Sequence, residues 1–150
     1  MKRLLMVLAV ALAVSVASAQ SPGLGVYTGF PVLLGGQYQT GNFRLSAGLP
    51  WFGFGVFGIG ASADLILGQA PVRLGPDLTL NFYYGAGANA AVYFGAVSFF
   101  IADAHGLLGL EYLIANAGFS VYGESQLGIG LYGGVGVGPA FGGRFGVIFR

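Results

Sequence analysis

The chain has 150 residues, a length suited to one domain, and no cysteine, which excludes disulfides and thiolate chemistry. Only 7% of its residues are charged, while 55% are hydrophobic, 15% are aromatic and 29 are glycine, so too few polar side chains remain to coat a soluble surface. The formal charge of +1 includes no basic patch for nucleic acid or acidic lipid.

Residues 1–19 read as a secretory signal. Lys2 and Arg3 form the basic start, Leu4 to Val16 the apolar stretch, and Ala17-Ser18-Ala19 a small-x-small cleavage site. A retained anchor helix is the weaker reading, because the stretch is short and ends in that site. Cleavage leaves Arg44, Arg73, Arg144 and Arg150 against five acids, a net charge of −1. Beyond the signal no apolar run reaches the roughly 18–20 residues of a membrane helix. Oily composition without a spanning helix points to strands in a membrane, and residues 20–150 are read as that domain.

Eight stretches carry period-two alternation, the mark of strands with one apolar face. Leu24–Phe30, Leu34–Gln39 and Phe43–Leu49 are weak examples. In the fourth, Phe57, Ile59, Ala61, Ala63, Leu65 and Leu67 face one way, and Gly58, Gly60, Ser62 and Asp64 the other. In the fifth, Leu78, Leu80, Phe82, Tyr84, Ala86 and Ala88 alternate with Thr79, Asn81, Tyr83, Gly85 and Gly87. Gly106–Ile114 is the weak sixth. The seventh, Phe119 to Leu131, sets Phe119, Val121, Leu127, Ile129 and Leu131 against Ser120, Tyr122, Glu124 and Gln126. The eighth sets Phe141, Phe145, Val147 and Phe149 against Gly142, Arg144, Gly146 and Ile148. The fold expected is all-β: an eight-stranded antiparallel up-and-down transmembrane barrel.

Tight turns are expected at Thr40-Gly41-Asn42 and Asn116-Ala117-Gly118, with a longer connection at Gly68 to Pro76 on the same side. Pro50-Trp51, Asn89 to Ala104 and Gly133 to Gly138 connect strands on the opposite side. Aromatic residues near strand ends (Trp51, Phe52, Tyr38, Tyr93, Tyr112, Tyr132, Phe149) suit interfacial girdles. Ala86 to Ala102 is almost wholly apolar with helix-like Ala and Gly spacing. As a short helix it would instead make this an inner-membrane or glycine-zipper protein.

Arg44, Asp64, Glu111, Glu124 and Arg144 all fall on the non-oily strand faces. Charge toward lipid is expensive, so that face is the lumen, and a lipocalin-like soluble barrel, oily within, is the wrong arrangement. In a lumen this narrow the five should pair, with Glu124 and Arg144 on neighbouring strands as partners and Glu111 and Asp64 close by. They read as a salt-bridged plug in preference to a gate or ion path.

His105 is the single histidine, and without cysteine a metal site lacks its usual ligands, so no metal or cofactor is expected. Asp103 and His105 with Ser98, Ser120 or Ser125 would compose a hydrolytic trio. No nucleophile elbow or oxyanion arrangement accompanies them, and His105 reads as a surface-loop residue. No catalytic residue is assigned and the chain is not expected to be an enzyme. Gly134-Val135-Gly136-Val137-Gly138 lacks the strand-turn-helix setting of a dinucleotide loop and reads as a turn.

Phe82-Tyr83-Tyr84-Gly85-Ala86-Gly87, Gly109-Leu110-Glu111-Tyr112, Val121-Tyr122-Gly123-Glu124 and Gly142-Gly143-Arg144-Phe145 resemble signatures of small bacterial outer-membrane barrels of the OmpA-like eight-stranded type. The likeness covers Asp77 to Arg150; the first three strands match by pattern alone. It implies an outer-membrane location, contact with membrane lipid, a monomer, and recognition of the last strand by the barrel insertion machinery. In that family the last residue is usually aromatic, whereas here Arg150 follows Phe149. No room remains for a peptidoglycan-binding domain after the barrel. The likeness implies location and fold and by itself no activity. Three functions compete: a structural or surface-interaction barrel, a narrow ion or small-solute pore gated by the lumenal charges, and a lipid-modifying outer-membrane enzyme.

Overall fold

The computed structural model describes residues 20–50, 56–76, 78–95 and 98–150. The signal reading of 1–19 and the girdle positions Trp51 and Phe52 lie outside them. Eight strands form one closed antiparallel barrel in which each pairs with its sequence neighbours and the last pairs with the first. They are β1 (Gln20–Phe30), β2 (Val32–Gly41), β3 (Phe43–Pro50), β4 (Phe57–Arg73), β5 (Thr79–Phe94), β6 (Phe99–Ile114), β7 (Phe119–Tyr132) and β8 (Gly136–Phe149). Closure leaves every strand a partner on both sides along the barrel's waist, so the backbone polar groups there are satisfied without water.

The register fixes the shape. Following partners once around from Leu24 leads through Tyr38, Leu45, Ala63, Ala88, Ala104 and Ile129 to Pro139, ten residues short of Phe149, the partner of Leu24 across the seam. Strand number and stagger together set tilt and width, and eight strands with this stagger tilt by about 40° around an interior that side chains can fill. The wall is uneven. β1 to β3 are 8 to 11 residues long, whereas β4 to β8 are 14 to 17.

Both tight turns form where the sequence places them, and Gly41 (φ 54°) and Gly118 (φ 67°) supply the left-handed residues that turn the chain. Both termini of the barrel open at this same end. The connections read at Gly68 to Pro76, Asn89 to Ala104 and Gly133 to Gly138 are shorter than the sequence reading, whereas β3 and β4 are separated by more than Pro50-Trp51. β4 continues through Gly68 to Arg73 across a bulge between Ile66 and Gly68; Ile66 keeps the inward parity of Asp64, and Leu67, at the bulge, is half-buried. Asn89 to Ala104 is mostly strand: β5 runs to Phe94 and β6 starts at Phe99. The helix considered for Ala86 to Ala102 is therefore absent, and no described helix is long and apolar enough to cross a membrane. Alternation is hard to read there because Ala and Gly occupy both faces. β8 likewise begins at Gly136, not after Gly138. Tyr38, Tyr112 and Phe149 face outward, but Tyr93 turns inward and stacks on Phe99 with ring centroids 4.5 Å apart.

Inside, three tyrosines each lie over a glycine directly across on the next strand: Tyr27 opposite Gly35, Tyr83 opposite Gly109, and Tyr122 opposite Gly146. A Cβ at Gly35 or Gly146 would stand 2.5 Å from the facing ring. Ile66, Leu107 and Ile148 join these rings in one buried cluster. Replacing Gly146 with Val is expected to cost about 1–3 kcal/mol through overpacking, read as a lower urea midpoint for the refolded protein. Gly106→Ala, whose Cβ would meet no atom closer than 3.9 Å, serves as the near-neutral reference.

Candidate functional site

The lumenal face carries what the alternation assigns to it. Arg44 (β3), Asp64 (β4), Glu111 (β6), Glu124 (β7) and Arg144 (β8) all point inward, each 1–6% exposed. Their pairing differs from the sequence expectation. Glu124 and Arg144 are register partners, yet their charged atoms stand 3.8 Å apart, the longer of the contacts each makes. Long side chains in a narrow tube reach across it more readily than along the wall. Arg44 Nη1 meets Glu124 Oε2 from the far side at 2.5 Å, and Arg144 Nη1 meets Asp64 Oδ2 at 2.9 Å. Glu111 does not join them. It binds Arg150, whose guanidinium folds inward to Glu111 and Ser120 at the end where the termini lie.

Further bonds satisfy the remaining lone pairs and protons. Tyr83 Oη donates to Glu124 Oε2 at 2.9 Å and Gln126 Nε2 to Glu124 Oε1 at 2.9 Å. Arg144 Nη2 donates to Ser62 Oγ and to Asn89 Oδ1, both at 2.9 Å. The guanidinium of Arg44 lies 5.3 Å from the Tyr83 ring centre and 4.8 Å from that of Tyr122, and Arg144 lies 5.2 Å from Tyr27. Tyrosine faces thus stabilise the cations where water is excluded.

His105 corrects the loop reading. It is buried in β6, with Nδ1 2.8 Å from Asp103 Oδ1 and Nε2 3.2 Å from Asp64 Oδ1. Ionised carboxylates only accept, so a ring protonated on both nitrogens would donate to both of them. Three cations, Arg44, Arg144 and His105, would then balance three carboxylates, Asp64, Asp103 and Glu124. The hydrolytic trio does not assemble: Ser120 belongs to the Arg150 group, and Ser98 and Ser125 are exposed. Among the described residues no group of three or more His, Asp and Glu side chains is arranged to hold a metal ion.

The sequence reading gave Asn89, Asp103, Gln126 and Arg150 no part in the lumenal cluster. The first two were hidden by reading their stretch as a connection. Gln126 was visible on the polar face of its strand, and only the cross-lumen geometry gives it a partner. The voids beside the cluster measure about 20 Å³, next to Ser62, Asn89 and Arg144, and about 10 Å³, next to Asp103, His105 and Gln126. Each has room for about one water molecule. On the β2–β3 side, Gln37 Nε2, Gln39 Nε2 and Ser46 Oγ are buried without a protein partner.

The architecture is a closed eight-stranded antiparallel barrel with most of its described charges inside and most of its large apolar side chains outside. Comparison with protein-family models, curated proteins and solved structures finds no match to this chain.

Removing one member of a buried pair leaves the other charge without its partner, so Glu124→Ala is expected to destabilise the barrel by about 3–5 kcal/mol. The double variant Arg44→Met with Glu124→Leu should recover most of that loss, and urea unfolding of the three proteins side by side reads the difference. Ser46→Ala, which removes a buried hydroxyl without a partner, should be neutral or raise stability by about 1 kcal/mol in the same assay.

Proposed function

We propose that this chain is an integral outer-membrane β-barrel with a structural role and a lumen plugged by its own ion pairs. The observation that carries the reading is the inversion of polarity. Leu24, Val26, Leu45, Ile59, Leu108, Leu127, Ile129 and Phe145 stand exposed on the outer wall, while Arg44, Asp64, Glu124 and Arg144 are buried in the interior. Water as the surrounding solvent would reverse that preference, and lipid accounts for it. The signal-like residues 1–19 and the resemblance to OmpA-like barrels support export to the outer membrane. Seven of the strands, with 10 to 17 residues, are long enough to span, since about 9–11 tilted residues suffice, and β3, with 8, is one residue short of that length.

Plugging is favoured over conduction by the contents of the lumen. Ion pairs, three tyrosine rings and the cluster of Ile66, Leu107 and Ile148 fill the section, and the voids beside the charges have room for about one water each. A lipid-modifying activity has little support, because His105 is held by two carboxylates and, among the described residues, no hydroxyl is one of its hydrogen-bond partners. Cofactors have no part in this reading.

Membrane fractionation combined with a heat-modifiability gel tests the location. Recovery with the outer membrane, and different migration of boiled and unboiled protein, is the expected outcome; soluble or inner-membrane recovery without a heat shift refutes it. In planar bilayers the purified protein should give no steady current. A steady current abolished by Glu124→Ala or altered by Arg144→Ala would instead establish the pore.

A further inference from the structure

The two ends of the barrel differ in chemistry. At the end where the termini lie, Arg73 is exposed and Glu111 with Arg150 closes the lumen. At the opposite end, the described connection residues 31, 56, 95, 98 and 133–135 include no charged residue. Apolar side chains circle that end on all sides: Phe30 on β1, Phe57 on β4, Phe94 on β5, Phe100 on β6 and Leu131 on β7 are all exposed. Above them the β7–β8 turn presents Val135 at 88% and Val137 at 74% exposure.

That turn also keeps its backbone satisfied from within. Gly133 N–H donates to Phe100 O, Val135 N–H donates to Tyr132 O, and the Tyr132 hydroxyl donates to Pro139 O. Such bonds also occur in turns exposed to water, and in lipid, where an unmet backbone group is costly, they lower the cost of burying this turn. The apolar surface is circumferential and continuous with the outer wall, so one protein partner on one side would leave most of it bare.

We propose that at this end of the barrel the β7–β8 turn and the start of β8, Val135 to Val137, lie at the boundary between acyl chains and headgroups and do not project into water. The inference rests on the membrane reading above and deepens it, because a turn held in lipid offers little surface to a soluble partner. β5 and β6, 16 residues each, rise by about 40 Å along the barrel axis, so with this end at one boundary of a roughly 25 Å apolar band the excess height falls at the end of the termini, where Arg73 is exposed.

The absence of cysteine makes the test direct. Val135→Cys and, at mid-wall on β7, Ile129→Cys are each labelled with an environment-sensitive fluorophore and folded into dioleoyl-phosphatidylcholine vesicles, folding being checked by the heat shift on a gel. Quenching by aqueous iodide is compared with quenching by lipids carrying a nitroxide near the headgroup or deep in the acyl chain. The expected result is that the Ile129 probe responds to deep nitroxide and the Val135 probe to shallow nitroxide. Both should be several-fold less sensitive to iodide than the urea-unfolded protein. If the Val135 probe is open to iodide while the Ile129 probe is in lipid, the present inference is overturned and the membrane reading stands. Iodide access at both positions overturns both. A Val135 probe shielded from iodide and nitroxide alike means a second copy covers the turn, which also overturns the inference.

Discussion

The narrow bore of the barrel is the constraint from which the rest follows. Eight strands with a stagger of ten residues enclose a tube only as wide as two facing side chains. Charged groups placed there have no water to turn to, so each has to find its counter-charge within that width. Arg44 reaching Glu124, and Arg144 reaching Asp64, join strands that are far apart around the circumference. These bonds act as cross-struts, while the hydrogen-bonded ladder acts as the hoop. His105 lies between Asp64 and Asp103, and protonated on both nitrogens it would bring three positive and three negative charges into balance.

The same constraint explains what the sequence made legible. Strand number, the inward face and the placement of Arg44, Asp64, Glu111, Glu124 and Arg144 follow from alternation alone, because a side chain's face depends only on the parity of its position. Partner choice does not. Glu124 and Arg144 are neighbours by register, but a guanidinium on a long stem is free to span the bore, and the shorter contacts lie across it. Parity also fails where residues are small. Between Ala86 and Ala102 alanine and glycine serve both faces, so the extensions of β5 and β6, and with them the burial of Asn89, Asp103 and His105, carry little signal. Arg150 was legible only as a departure from a terminal aromatic; its inward fold to Glu111 depends on the closing of β8 against β7 and β1.

A stagger built from short strands on one side and long strands on the other gives the molecule a front and a back. The β1–β3 wall is about as tall as an apolar layer of 25 Å, while the wall from β4 to β8 exceeds it. The polar interior and the apolar exterior therefore meet their respective surroundings over unequal heights around the circumference.

The three tyrosine–glycine pairs have a consequence for how the barrel reaches the right pairing at all. A slip of one residue between strands is rejected at once, since it turns every side chain to the wrong face. A slip of two preserves inside and outside, and polarity is blind to it. The rings are not. Displaced by two, Tyr27 would face Gln37 or Leu33, Tyr83 would face Glu111 or Leu107, and Tyr122 would face Ile148 or Arg144, none of which leaves space for a phenol. The pairs work as a parity check laid over a two-letter code: three positions, spread over three different strand boundaries, at which the misassemblies that satisfy the membrane still fail to pack.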